Sequence, residues 1–265
     1  MSQAAVENSA EPILLRQQSD GVHTLTLNRP RQYNALSREM LSSLQSALDE
    51  IARDPEVRVV VLAGSGPAFC AGHDLKEMRG RPDKAFQKEL FEQCSRMMLS
   101  LTRLPQPVIA RVHGTATAAG CQLVATCDLA VASRGARFAT SGINLGLFCS
   151  TPAVALSRNV ARKHALEMLV TGDFIDADAA LARGLVNRVV TEAEIDRAVA
   201  ELAATICAKP AVAVRAGKEM FYKQLELGLA DAYAYASEVM ACNMMTEEAC
   251  EGIDAFLQKR APAWR

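Results

Sequence analysis

Two stretches of this chain gather glycine and other small residues where backbone N–H groups can be left free to meet a ligand. The first, "FCAGHDLKEM" at 69–78, follows an apolar run and a glycine-rich turn. The second, "HGTATAAGCQL" at 113–123, also follows a strand-like run and opens a helix with small residues only. Two such loops at neighbouring strand ends can aim two N–H groups at one carbonyl oxygen, because the first amides of a helix have no partner within it. That arrangement suits thioester chemistry, where an enolate or tetrahedral oxyanion develops on one oxygen and each donor typically lowers the barrier by about 3 kcal/mol. The alternative is structural: close packing of helix on strand at Ala118, Ala119 and Gly120.

Other chemistries fit the same residues less well. A dinucleotide fingerprint built on Gly64 and Gly66 needs a further glycine where Phe69 stands, and no phosphate loop ending in Gly-Lys-Ser/Thr is present. Asp74 is placed to accept from the free N–H groups of the helix that follows it, a capping role rather than a catalytic one. Lys76 reads either as a solvated helix-start lysine or as a ligand contact. His113 reads as a hydrogen-bonded structural residue, His23 belongs to the first strands, and Asp128 is expected to satisfy local backbone donors. The eight cysteines lie in apolar or helical stretches, with no C-x-x-C pair at metal spacing, so they read as reduced core residues. Cys149 is one of them.

The elements that must hold these loops can be read from periodicity. Alternation between Ile13 and Leu27 predicts antiparallel strands ended by "NRP". Ser37 is an N-cap candidate for a helix with Met40, Leu41, Leu44, Leu48 and Ile51 at helical spacing, and "VRVVVLAG" reads as a buried strand. A helix over about 83–103, with Phe86, Leu90, Phe91, Cys94, Met97, Met98 and Leu101 inward, precedes the strand in "LPQPVIARVHG". A short helix from about Gly120 and a strand from about Leu129 follow. This alternation of strand, loop and helix argues for an α/β layer fold with right-handed crossovers. After residue 150 a helical stretch near 152–171, a helix capped by Asp176, the strand "LVNRVV", a capping box at Thr191 and Glu194, and C-terminal helices complete the pattern.

The chain has 265 residues, 29 basic and 30 acidic, with half of its residues hydrophobic. That is ample for a large core, and the scattered basic residues exclude the electrostatic footprint of a nucleic-acid binder. No window reaches the roughly 18 apolar residues of a membrane span, and "MSQAAVENSAEP" lacks the pattern of a secretory signal. The expectation is therefore a cytoplasmic protein with a disordered segment at 1–12, acting on a small molecule, with no nucleic-acid or membrane partner and no metal.

Six stretches in order carry a broader resemblance: "LNRPRQYNALS" at 27–37, "FCAGHDLKEM" at 69–78, "GTATAAGCQLVATCDLAVAS" at 114–133, "FATSGINLGLF" at 138–148, "TGDFIDADAALARGLVNRVV" at 171–190 and "EGIDAFLQKR" at 251–260. Over nearly its whole length the chain resembles the crotonase, or enoyl-CoA hydratase/isomerase, superfamily. The wording around "GLFCSTPAVALSR" is most similar to the branch called enoyl-CoA hydratase domain-containing protein 3. The resemblance implies a crotonase-like spiral of ββα units over 13–200 and a helical trimerisation lobe over 201–265, packed on the core and on a neighbouring subunit. It also implies a homotrimer or dimer of trimers that binds acyl-CoA as substrate or ligand, with no permanently bound cofactor. By the same carry-over the oxyanion hole is the N–H groups of His73 and Ala119, and Ala35, Ala71, Leu75 and Lys76 match CoA-contacting positions. Arg31 sits where a basic residue often meets phosphate.

The chain departs from the family where acids are needed. Hydratases of this family hold a water between two glutamates, and the matching positions here are Gln122 and Gly142. An amide can orient water but does not exchange a proton near neutral pH, and glycine offers nothing. Among Asn144, Cys149 and Ser150, which follow in the same loop, none is an acid of suitable strength. The sequence thus implies either an enzyme for a reaction less dependent on paired carboxylates or a non-catalytic acyl-CoA-binding module serving as sink, sensor or assembly partner. It also suggests that Gln122→Glu together with Gly142→Glu should raise hydration.

Overall fold

The computed structural model describes residues 11–264. The expected disordered segment at 1–12 falls mainly on residues 1–10, outside the described residues. Strands β1 (Leu14–Ser19) and β2 (Val22–Leu27) pair antiparallel. Their turn is Asp20-Gly21 with φ of 50° and 76°, the backbone twist that a two-residue hairpin needs. Helix α1 (Arg38–Ile51) starts where the Ser37 hydroxyl accepts from Met40 N–H at 3.2 Å, and it buries the stripe of Met40, Leu41, Leu44, Leu48 and Ile51.

From here the chain repeats one plan: long strand, short strand, helix. The first unit is β3 (Val59–Gly64), β4 (Ala68–Cys70), α2 (Leu75–Gly80) and α3 (Lys84–Arg103). The second is β5 (Val108–Val112), β6 (Thr115–Thr117) and α4 (Ala119–Thr126). The third is β7 (Leu129–Ser133), β8 (Arg137–Ala139), α5 (Ser150–Asn159) and α6 (Arg162–Thr171). Then come β9 (Ile175–Asp176), α7 (Ala177–Ala182), β10 (Arg188–Val190), α8 (Ile195–Cys207), α9 (Ala211–Gln224), α10 (Leu229–Met244) and α11 (Glu247–Leu257).

The long strands form one sheet in the order β1-β2-β3-β5-β7-β10, and the short strands form a second, β4-β6-β8-β9. Each unit therefore steps one strand along in both sheets, and the pairs between units are parallel, which gives the spiral of ββα units. One core, with Leu44, Leu62, Phe69, Met97, Leu123 and Phe138, fills the space between the sheets and α1, α3 and α4. On the far face of the large sheet Val59, Val61, Ile109 and Val131 pack against Ile195, Ala198 and Val199 of α8.

Two expectations are corrected. The helical stretch near 152–171 is two helices, because the side chain of Asn159 turns back to donate to Ala125 and Ala155 carbonyls at 2.7 and 2.9 Å, and Val160 leaves helical conformation. Asp128 serves distant partners rather than its neighbours. It accepts from Val108 N–H and from the Lys218 ammonium, each at 2.6 Å, and from the Tyr222 hydroxyl at 2.8 Å. Lys218 also donates to the Leu101 and Gln106 carbonyls at 2.8 and 2.9 Å, so one buried ammonium fastens α9 to the core. Burial lowers the pKa of Lys218, against the raising pull of Asp128.

Candidate functional site

The site begins with two backbone segments zipped together. Ala71 N–H donates to Tyr33 C=O at 2.9 Å, Leu36 N–H to Gly72 C=O at 2.7 Å, and Asp74 N–H to Leu36 C=O at 3.3 Å. The stretches 27–37 and 69–78, far apart in sequence, thus form one layer. Asn34 staples it: its buried amide donates to Ser65 and Ala68 carbonyls at 2.8 Å each and accepts from Arg29 N–H at 2.9 Å. Arg29 adds a clamp, donating to Ala35 C=O at 2.8 Å and to the Asp74 carboxylate at 3.0 Å. Neither residue stands out in the sequence reading, which takes "NRP" only as a strand breaker.

Asp74 does cap α2, accepting from Lys76 and Glu77 N–H at 3.1 and 3.3 Å. Burial alone would raise its pKa, but the Arg29 hydrogen bond and the helix amides outweigh it and hold the carboxyl below its ordinary value. Of the positions expected to meet CoA, Ala35 is buried, Ala71 is half-buried, and Arg31, Leu75 and Lys76 are exposed around this layer.

The second loop presses against the first. A Cβ on Gly72, whose φ is 94°, would lie 3.0 Å from Ala118 Cβ and 3.2 Å from Ala119 N. A Cβ on Gly120 would lie only 2.0 Å from the Cys70 carbonyl oxygen. Only glycine permits this approach at either position. Ala118 itself has φ of 51°, an unfavourable backbone for alanine, and is held there by its N–H bond to Ala139 C=O at 3.0 Å.

The packing alternative for Ala118–Gly120 is therefore real, but it leaves something over. Among the described residues, the N–H groups of His73 and Ala119 donate in no hydrogen bond. Ala119 opens α4, where the first amides lack a partner in the helix.

Gln122, one turn into α4, is 5% exposed, and its Oε1 is buried without a partner. Ser141, beside Gly142, is tied to the second loop through Thr117, hydroxyl to hydroxyl, at 2.7 Å. Around Gly142 there is little room: a Cβ would lie 2.6 Å from the Leu147 carbonyl oxygen and 2.8 Å from Cys149 Sγ. Burial raises the pKa of the Cys149 thiol, with a smaller opposing effect from the Gly142 backbone. The imidazole of His73 meets Phe91 edge-on with ring centroids 5.5 Å apart, and both ring nitrogens are buried and unpartnered. Phe91 is half-buried rather than part of the core. His113 bonds through Nε2 to Gly66 C=O at 2.7 Å, the structural role expected of it.

Comparison with known proteins agrees with this architecture. The sequence model of the enoyl-CoA hydratase/isomerase family matches residues 17–265. A relative from Xenopus laevis, enoyl-CoA hydratase domain-containing protein 3, mitochondrial, is 47% identical over 253 residues, covering 96% of this chain and 86% of its own. A crystal structure of an enoyl-CoA hydratase of Mycobacterium smegmatis superposes with a TM-score of 0.95 at 60% identity, over 96% of this chain and 99% of the other. The human enoyl-CoA hydratase domain-containing protein 3 superposes with a TM-score of 0.93 at 46% identity, over 96% and 100%.

These names correct one expectation. Vertebrate relatives at 42–47% identity are designated mitochondrial, which overturns the cytoplasmic reading. That reading rested on the absence of a membrane span and of a secretory pattern, neither of which distinguishes the cytoplasm from the inside of an organelle. Two sheets stepped through ββα units, two small-residue loops in contact, and full-length similarity at this level lead to one assignment: the chain belongs to the enoyl-CoA hydratase/isomerase family and has the crotonase fold.

Proposed function

We propose that this chain binds an acyl-CoA thioester and stabilises negative charge on its carbonyl oxygen with the N–H groups of His73 and Ala119. The observation that carries this reading is the pair of amides without acceptors on loops locked together at Gly72 and Gly120. Donors fixed in place before the reaction cost no reorganisation when charge develops, and each is typically worth about 3 kcal/mol. Ala35, Ala71 and Leu75 are the positions for the pantetheine and adenine parts of CoA, with Arg31 and Lys76 for its phosphates. No permanently bound cofactor is needed.

Ordinary enoyl-CoA hydration is disfavoured. Gln122 can orient a water but cannot carry its proton. At Gly142 the second acid is absent, and its path is taken by the Leu147 carbonyl and the Cys149 thiol. The activities that remain are those asking less of paired carboxylates: thioester hydrolysis, decarboxylation, or water addition assisted by Gln122 alone. The same replacements favour a second reading, a binding module without turnover. Steady-state assays on enoyl-, malonyl- and β-oxoacyl-CoA, paired with calorimetry, separate the two. Turnover above solvent background rejects the module, tight binding without turnover rejects the enzyme, and no binding at all rejects both.

Exposed apolar side chains on α9, α10 and α11, among them Phe221, Leu229, Tyr233, Met240 and Phe256, support assembly with further copies of the chain. A homotrimer or dimer of trimers is the expected state, and a monomeric mass by light scattering at micromolar concentration would reject it.

A further inference from the structure

The two free amides of the candidate site are backed by different groups. A peptide unit is planar and trans, so its C=O and N–H point in opposite directions, and a donor bound to the C=O orients and polarises the N–H on the far side. Behind Ala119 N–H stands the Ala118 carbonyl, which accepts from Gln122 N–H at 3.0 Å in the first turn of α4. That amide is therefore the open end of a helix. His73 precedes Asp74, the cap of α2, and lies outside that helix. Behind its N–H stands the Gly72 carbonyl, which accepts from Leu36 N–H at 2.7 Å. Leu36 N–H shares its peptide with the Ala35 carbonyl, and that carbonyl accepts from the Arg29 guanidinium at 2.8 Å. Two peptide units are thus lined up head to tail, with a cation at one end and the free His73 N–H at the other.

We propose that Arg29 is a positioning residue for the thioester carbonyl: through the Ala35–Leu36 and Gly72–His73 peptides it orients the His73 N–H and strengthens it as a donor, as α4 does for Ala119. The inference rests on the acyl-CoA reading above. Hydrogen bonds in series strengthen one another by about 10–30% each, and a charged donor at the head of the series is the strongest start. The Arg29 side chain is 19% exposed, so solvent screens it little. Its second donor, Nη2, meets the Asp74 carboxylate at 3.0 Å, which offsets part of the charge but fixes the guanidinium against Ala35. Asp74 N–H donates to the Leu36 carbonyl at 3.3 Å and closes the connection. On the other side the Glu77 carboxylate accepts from Arg38 N–H at 3.0 Å, tying α2 to the start of α1.

The test compares butyryl-CoA with S-butyl-CoA, the thioether in which a methylene replaces the carbonyl, by calorimetry on the full chain, on Arg29→Met and on Arg29→Gln. Met removes the donors, and Gln keeps a neutral amide without the charge. Isotope-edited infrared spectroscopy of butyryl-CoA labelled with carbon-13 in its carbonyl reads the C=O stretch in each complex. The native chain is expected to bind the thioester about tenfold more tightly than the thioether, the worth of its made hydrogen bonds, with the stretch lowered relative to the free ester. In either variant that folds, this preference falls by about threefold or more, the stretch moves back toward the free value, and thioether affinity stays as in the native chain. A residue that only held the layer together would weaken both ligands alike. An equal loss for both ligands in a folded variant, or an unchanged preference and stretch, overturns the proposal and leaves the acyl-CoA reading standing. No preference for the thioester in the native chain overturns that reading and the proposal with it.

Discussion

Leu36 and His73 form an isolated parallel β-bridge in which Leu36 bonds to the residues on either side of His73, accepting from Asp74 and donating to Gly72. In that register the N–H of His73 lies on the opposite edge, away from Leu36. The prominent feature of "GHD" is thus a backbone group freed by the pairing of its neighbours. What keeps it in place is the layer of 33–36 on 71–74, and that layer is open to test.

Arg29→Met removes both bonds of the clamp on Ala35 and Asp74 while retaining apolar length. The expected loss of stability is about 1–3 kcal/mol by urea unfolding, because a part-buried carboxylate and a carbonyl lose a charged donor. A loss below about 0.5 kcal/mol would mean that the Asn34 staple alone holds the layer.

The pKa of Asp74 is lowered in the folded state, so its contribution to stability is complete above the ordinary carboxylate value near 4 and fades as pH falls through the folded value. Asp74→Asn should therefore be less stable than the native chain at pH 7, and the difference should shrink on acidification below about pH 4. A difference that grows toward acid pH would contradict the assignment of Asp74 as an ionised cap.

Ala118 and Gly120 give opposite expectations two residues apart. Ala118→Gly should stabilise the chain by about 1 kcal/mol, since it relieves a positive-φ alanine at the entry to α4. Gly120→Ala should cost about 3 kcal/mol or more, because its Cβ would lie 2.0 Å from the Cys70 carbonyl oxygen. Chemical denaturation of the two variants side by side checks both signs.

The structure also revises the double substitution suggested by the sequence. Gln122→Glu alone supplies a general acid or base, and crotonyl-CoA hydration should rise by about 100-fold, the lower end for one positioned group. Adding Gly142→Glu should give no further gain and should lower stability, because its Cβ overlaps the Leu147 carbonyl and the Cys149 thiol. A double variant that is as stable as the native chain and faster than Gln122→Glu would show that the 142–149 loop yields to the new side chain.

What could be read from the sequence is what depends on near neighbours. The caps at Ser37, Asp74 and Asp176 and the box at Thr191 and Glu194 span at most a few residues, and the structure contains all four. The buried run of β3 and the apolar stripe of α3 are equally local. The second sheet was invisible to periodicity: β4, β6 and β8 have three residues each, too few to show an alternation. It entered only through the resemblance. The fastening of α9 by Lys218 and Asp128 joins residues 90 apart and has no local signature. Gly142 was legible as a missing acid, but the crowding around it comes from Leu147 and Cys149 folding back across the loop, which no spacing rule reports.

The central claim is that one thioester oxygen is held by two backbone amides, and a crystal structure with acetoacetyl-CoA tests it most directly. The prediction is a thioester carbonyl oxygen about 3 Å from both His73 N and Ala119 N, the separation of a made hydrogen bond. A thioester bound elsewhere, or an oxygen that reaches only one of the two amides, would contradict it.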